Sequence, residues 1–69
     1  NGADIWRTKV RILETLRRYE EAIECYDELI KISLEKRYLN GKADALNELG
    51  RFDEAKECFA KVKELEEKE

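Results

Sequence analysis

Few residues in this chain could do chemistry. Cys25 and Cys58 are its two cysteines, and it has no histidine. A metal site would need further Cys or His ligands nearby in sequence, and there are none. General acid–base catalysis lacks its commonest base. The many glutamates could pair by chance. Glu alternating with Lys along helices, however, is the usual pattern of i,i+4 surface pairs. Gly41 and Gly50 stand singly, so no glycine-rich phosphate loop is present. Recognition chemistry remains. Arg7 and Arg11 are one helical turn apart and could hold a carboxylate through bidentate bonds. The expectation is a protein that is not an enzyme and takes no cofactor.

The bulk composition limits the partners. The chain has 69 residues, enough for one small domain (1–69) or a piece of an array. A chain this short buries only ~60% of its unfolded surface, so its stability depends on regular packing. Fourteen basic and 17 acidic residues leave a net charge of −3. Nucleic-acid binding rests on clustered Lys and Arg and is disfavoured. No apolar run approaches the ~20 residues of a membrane span. No signal peptide is visible, which suggests a cytoplasmic setting. The chain opens as Asn1-Gly2 without an initiator Met and reads as an excised or engineered segment.

Four helices must position these residues. The first is expected over 3–16, where Trp6, Val10, Leu13 and Leu16 follow the spacing of one face. Asp4 suits the positive end of its dipole, and Arg17 and Arg18 the other end. The second is expected over 20–33, with Ala22, Ile23, Tyr26, Leu29, Ile30 and Ser33 on one face. The third spans about 36–49, with Leu39, Ala43, Leu46 and Leu49. The fourth spans about 53–67, with Asp53 as N-cap and Ala55, Cys58, Phe59, Val62 and Leu65 as its face. Gly50 suits a left-handed stop, whereas Arg17 in the same conformation would cost roughly 1 kcal/mol. A break near residues 34–36 keeps the register described next. A continuous second helix turning at Asn40-Gly41 is the alternative.

The register is a repeat. Residues 19–26 (YEEAIECY) return as residues 52–59 (FDEAKECF), an offset of 33. At that offset Lys9/Lys42, Leu13/Leu46, Leu16/Leu49, Arg18/Arg51, Glu21/Glu54, Ala22/Ala55, Glu24/Glu57 and Cys25/Cys58 are identical. The two cysteines therefore sit on different helices. Axes 8–10 Å apart exceed the ~7 Å Cα separation a disulfide allows, so both are read as small apolar side chains. The differences also carry information. Ile23 becomes Lys56, Ile30 becomes Lys63 and Leu34 becomes Glu67. Residues 54–69 are thus expected to present a solvated outer face, as the end of a stack does. Ile5 and Ile12 are expected to be exposed on the other side, where further copies could stack in self-association.

These residues resemble the tetratricopeptide repeat (TPR). The match rests on Trp6, Leu13, Leu46, Ala22, Ala55, Tyr26, Phe59 and the turn from Leu49 through Gly50 to Ala55. Departures are Lys9-Val10, the absence of the usual closing proline at Leu34 and Glu67, and a unit of 33 rather than 34 residues. The resemblance implies an all-α fold of two stacked antiparallel helix-turn-helix repeats, a four-helix α-solenoid, with repeats at about 3–35 and 36–69. A plain four-helix bundle is the competing architecture. The resemblance also implies a protein–protein interaction module that binds a peptide or partner helix in a concave groove. Its lining would be Asp4, Arg7, Thr8, Arg11, Glu14 and Thr15 from the first helix, and Arg37, Asn40, Asp44, Asn47 and Glu48 from the third. Some family members grip a terminal carboxylate with Lys and Asn, which do not stand at the matching first-helix positions here. The other reading of this lining is a solvated mixed-charge face. The competing function is an engineered or excised repeat scaffold that folds or self-associates without a dedicated ligand.

Overall fold

The computed structural model describes residues 2–68. They form α1 (Gly2–Thr15), α2 (Tyr19–Ile32), α3 (Lys36–Glu48) and α4 (Phe52–Lys68), and among the described residues there is no strand. Each helix packs mainly on its neighbours in sequence: α1 on α2, α2 on α3, α3 on α4. A closed bundle would also bring α4 onto α1. Instead the helices form an open slab of 33 × 32 × 14 Å, as a stacked repeat does.

The burial pattern follows from that order. α2 and α3 are each covered on two sides and bury wide arcs: Ala22, Ile23, Cys25, Tyr26 and Leu29 on one, Tyr38, Leu39, Ala43, Ala45 and Leu46 on the other. α1 buries only Val10 and Leu13, and α4 only Ala55, Cys58 and Val62. The two repeats interlock through this packing. Tyr38 joins the cluster of Val10, Leu13, Ala22, Cys25, Tyr26 and Leu29, while Ile23 joins Ala43, Ala45, Leu46, Ala55 and Cys58. A fully enclosed leucine such as Leu29 contributes about 1.5–3 kcal/mol of transfer free energy.

The two hairpin turns use the same bonds. Arg18 N–H donates to the Leu13 carbonyl at 2.8 Å, and Arg51 N–H donates to the Leu46 carbonyl at 2.9 Å. Both turns need a left-handed residue, met by Arg17 at φ 61° and by Gly50 at φ 78°. This turn displaces the expected N-cap of α4. The Arg51 carbonyl accepts the first helical bond from Ala55 N–H, so Arg51 holds the capping position. Asp53 lies inside the first turn, where its carboxylate still suits the dipole.

The linker between repeats is the break near 34–36, not a continuous helix. Ser33 and Glu35 are both extended, and Asn40 and Gly41 lie within α3. Gly41 has a packing reason to be there. A Cβ on it would overlap the Tyr26 ring, meeting Cζ, Oη at 2.5 Å and Cε1 at 2.6 Å. Glycine lets α3 lie directly on that ring. Asp27 and Lys42 close the same helix pair at 2.6 Å.

Three positions expected on packed faces prove exposed, one of them Ser33, which lies just past the end of α2. Leu16 is 59% exposed and lies just beyond the end of α1 at Thr15, in the turn that leads to α2. Its counterpart Leu49 is partly buried against the cluster holding Ile23 and Leu46. Phe59 is 42% exposed, whereas its counterpart Tyr26 lies under α3. Ile5 and Ile12 are exposed, as is Leu34.

Candidate functional site

A cleft runs along α2 between α1 and α3. Val10, Tyr26 and Leu29 supply its apolar surface. Asp4, Arg7, Thr8, Arg11 and Glu14 form the α1 side, and Arg37 and Tyr38 the α3 side. The cleft encloses about 480 Å³, enough for a few side chains of a bound segment.

Its polar groups are unequally committed. Tyr26 Oη donates to Glu14 Oε2 at 2.7 Å. Burial, then this bond and the nearby Glu14 charge, raise the Tyr26 phenol well above its ordinary pKa, so it stays a neutral donor. Arg7 reaches Asp4 at 3.4 Å, a long and exposed pair worth little. Arg37 lies over the Tyr38 ring at 4.9 Å, donates to its hydroxyl at 3.2 Å and pairs with Glu35 at 2.9 Å. The Arg11 guanidinium makes no ion pair among the described residues, and its backbone carbonyl accepts from Thr15 Oγ1 at 2.9 Å.

Of the groove residues expected from sequence, Asp4, Arg7, Thr8, Arg11, Glu14 and Arg37 meet in this cleft. Thr15 lies further along α1, in a shallow depression with Thr8, Arg11, Ile12 and Leu16. Asn40, Asp44, Asn47 and Glu48 are exposed on α3 outside the cleft lining. Asp44 is still near enough to Tyr26 to raise its pKa. Tyr26 and Tyr38 also line the cleft, beyond the groove residues expected from sequence. Both carry hydroxyls on otherwise apolar positions, which was the available signal, since a buried Tyr usually finds a polar partner.

The two thiols are free and buried. Desolvation raises the pKa of both, which keeps them as thiols and away from nucleophilic or ligand chemistry. Among the described residues, no cluster of three or more His, Cys, Asp or Glu could hold a metal. Among the same residues no helix is long and apolar enough to cross a membrane.

Among curated proteins and among solved structures, nothing matches the chain. A family model of the tetratricopeptide repeat matches it twice, over residues 3–36 and 37–69. The two matches cover the same two helix pairs that share turns, alanines and cysteines. The chain therefore belongs to the tetratricopeptide repeat family, non-catalytic modules that generally mediate protein–protein interaction.

Proposed function

We propose that the α1–α3 cleft binds a peptide segment or helix end that presents a carboxylate to Arg7 and Arg11, with both repeats acting as one unit. One observation carries this reading: among the described residues the Arg11 guanidinium lines the cleft without an ion-pair partner, one turn from a weakly held Arg7. Two guanidiniums at that spacing suit a carboxylate, which accepts paired charge-assisted bonds. Tyr26 and Tyr38 add aromatic surface for the residue beside it. Glu14 is occupied by the Tyr26 hydroxyl, which reduces its competition for the arginines.

The test is a fluorescence-anisotropy titration of acidic peptides against the wild type, Arg7→Ala and Arg11→Ala. Arg11→Ala should weaken the best peptide about tenfold, the loss expected for a charge-assisted pair. Amidating the peptide's carboxylate should give a similar loss. Equal binding by all three proteins would exclude the cleft.

A further inference from the structure

The repeat lets each exposed position of α4 be compared with its counterpart on α2. On α2, Tyr19, Ile23, Tyr26 and Ile30 form one stripe along the helix, and all are buried or partly buried. α3 contributes to this cover: Tyr38 packs in the cluster with Tyr26 and Ile30, and Leu49 in the cluster with Tyr19 and Ile23. On α4 the same stripe reads Phe52, Lys56, Phe59 and Lys63, and all four are exposed. The aromatics persist, at 60% and 42% exposure, while both aliphatics have become lysines. Neither lysine has an ion-pair partner among the described residues. A face meant only for water gains nothing from two exposed phenylalanines, which leave apolar area unburied. A face meant for an ordinary apolar helix would not carry lysine at both intervening places.

We propose that this stripe docks an acidic amphipathic helix, laid on α4 as α3 lies on α2. Phe52 and Phe59 supply the apolar contact, and carboxylates of the incoming helix pair with Lys56 and Lys63. A glycine in the incoming helix, at the place Gly41 takes against Tyr26, would let that helix lie directly on the Phe59 ring. These requirements do not suit a second copy stacked head to tail. Its α1 would bring Thr8 to the glycine position and Val10, Ile12 and Leu13 toward Lys56, leaving an ammonium among apolar side chains. None of the four stripe residues lines the α1–α3 cleft, so the two surfaces are independent.

The probe is a synthetic peptide of residues 36–51 carrying Arg37→Glu and Ala45→Glu, titrated into the ¹⁵N-labelled 69-residue protein at low salt and followed by amide chemical shifts. Shifts should concentrate at Phe52, Lys56, Phe59 and Lys63 and saturate. Protein carrying Lys56→Glu and Lys63→Glu should bind about tenfold more weakly, and so should a peptide that also carries Gly41→Leu. Circular dichroism of the lysine variant should match the wild type, since both positions are exposed. Absence of α4 shifts at millimolar peptide, or equal binding of the Gly41→Leu peptide, would overturn the proposal. So would sedimentation showing that the protein alone oligomerises and that Phe59→Glu abolishes this, because a second copy would then cover the face. Shifts confined to Arg7 and Arg11 would also overturn it while leaving the cleft reading intact.

Discussion

Gly41→Ala separates local helix propensity from packing, because the two predict opposite signs. Gly41 lies in the interior of α3, where alanine ordinarily gains about 1 kcal/mol over glycine. The new methyl group would enter the Tyr26 ring. That ring is only 8% exposed, and its hydroxyl is tied to Glu14, so it has no cheap way to swing aside. Overpacking of this kind costs about 1–3 kcal/mol. Displacing the Tyr26–Glu14 bond adds about 1.5–3 kcal/mol for a charged acceptor. Against the propensity gain, the net expected loss is about 1.5–5 kcal/mol. A chain of this size has total stability of only about 3–10 kcal/mol. Urea unfolding followed by far-UV circular dichroism should show the midpoint fall while the m value holds. In a Tyr26→Leu background the ring is gone, and the same Gly41→Ala change should be neutral or stabilising, a coupling of about 2 kcal/mol or more. A higher urea midpoint for Gly41→Ala in the wild-type background would refute the packing argument.

The repeat also makes a stability prediction at its other glycine position. Arg17 adopts the left-handed conformation that Gly50 supplies in the second repeat, so Arg17→Gly should gain roughly 1 kcal/mol, or about 4–8 °C in Tm; an unchanged or lower Tm would contradict this. The pH dependence of stability follows from Tyr26. Its folded pKa is raised above the ordinary value of 10, first by burial and then by Glu14, so the folded state keeps a proton that the unfolded chain loses. The stability this contributes is fully present below about pH 10 and is lost as pH rises beyond it. The raised thiols of Cys25 and Cys58 act in the same direction from about pH 9. Tyr26→Phe should lower the urea midpoint at pH 7 and flatten its decline above pH 10; an identical alkaline slope in both proteins would count against the buried phenol.

Local features were legible in the sequence. The 3.6-residue periodicity of apolar residues placed the four helices, and identical residues 33 apart placed two equal turns. The left-handed strain at Arg17 could be read from its alignment with Gly50, because a turn's dihedral angles depend on a few consecutive residues. The break at 33–35 followed from the same register. The true cap of α4 did not, since Arg51 is placed by a backbone bond reaching back to Leu46 rather than by its own side chain.

Tertiary structure alone decided which faces are covered. Leu16 and Leu49 are identical residues at equivalent turns, yet one is exposed and the other rests on a neighbouring repeat. Phe59 follows the same pattern of spacing as Tyr26 and differs in having no helix laid across it. Gly41 owes its place in α3 to Tyr26, 15 residues away in sequence, whose ring fills the space a side chain would need. The groove residues divided for the same reason. Periodicity put Arg37, Asn40, Asp44, Asn47 and Glu48 on α3, but only Arg37 comes close enough to α1 and α2 to share the cleft. A sequence states the apolar and polar faces of each helix through spacing along one chain. Burial, and with it the binding surface, depends on which second helix arrives at that face and how closely it can approach.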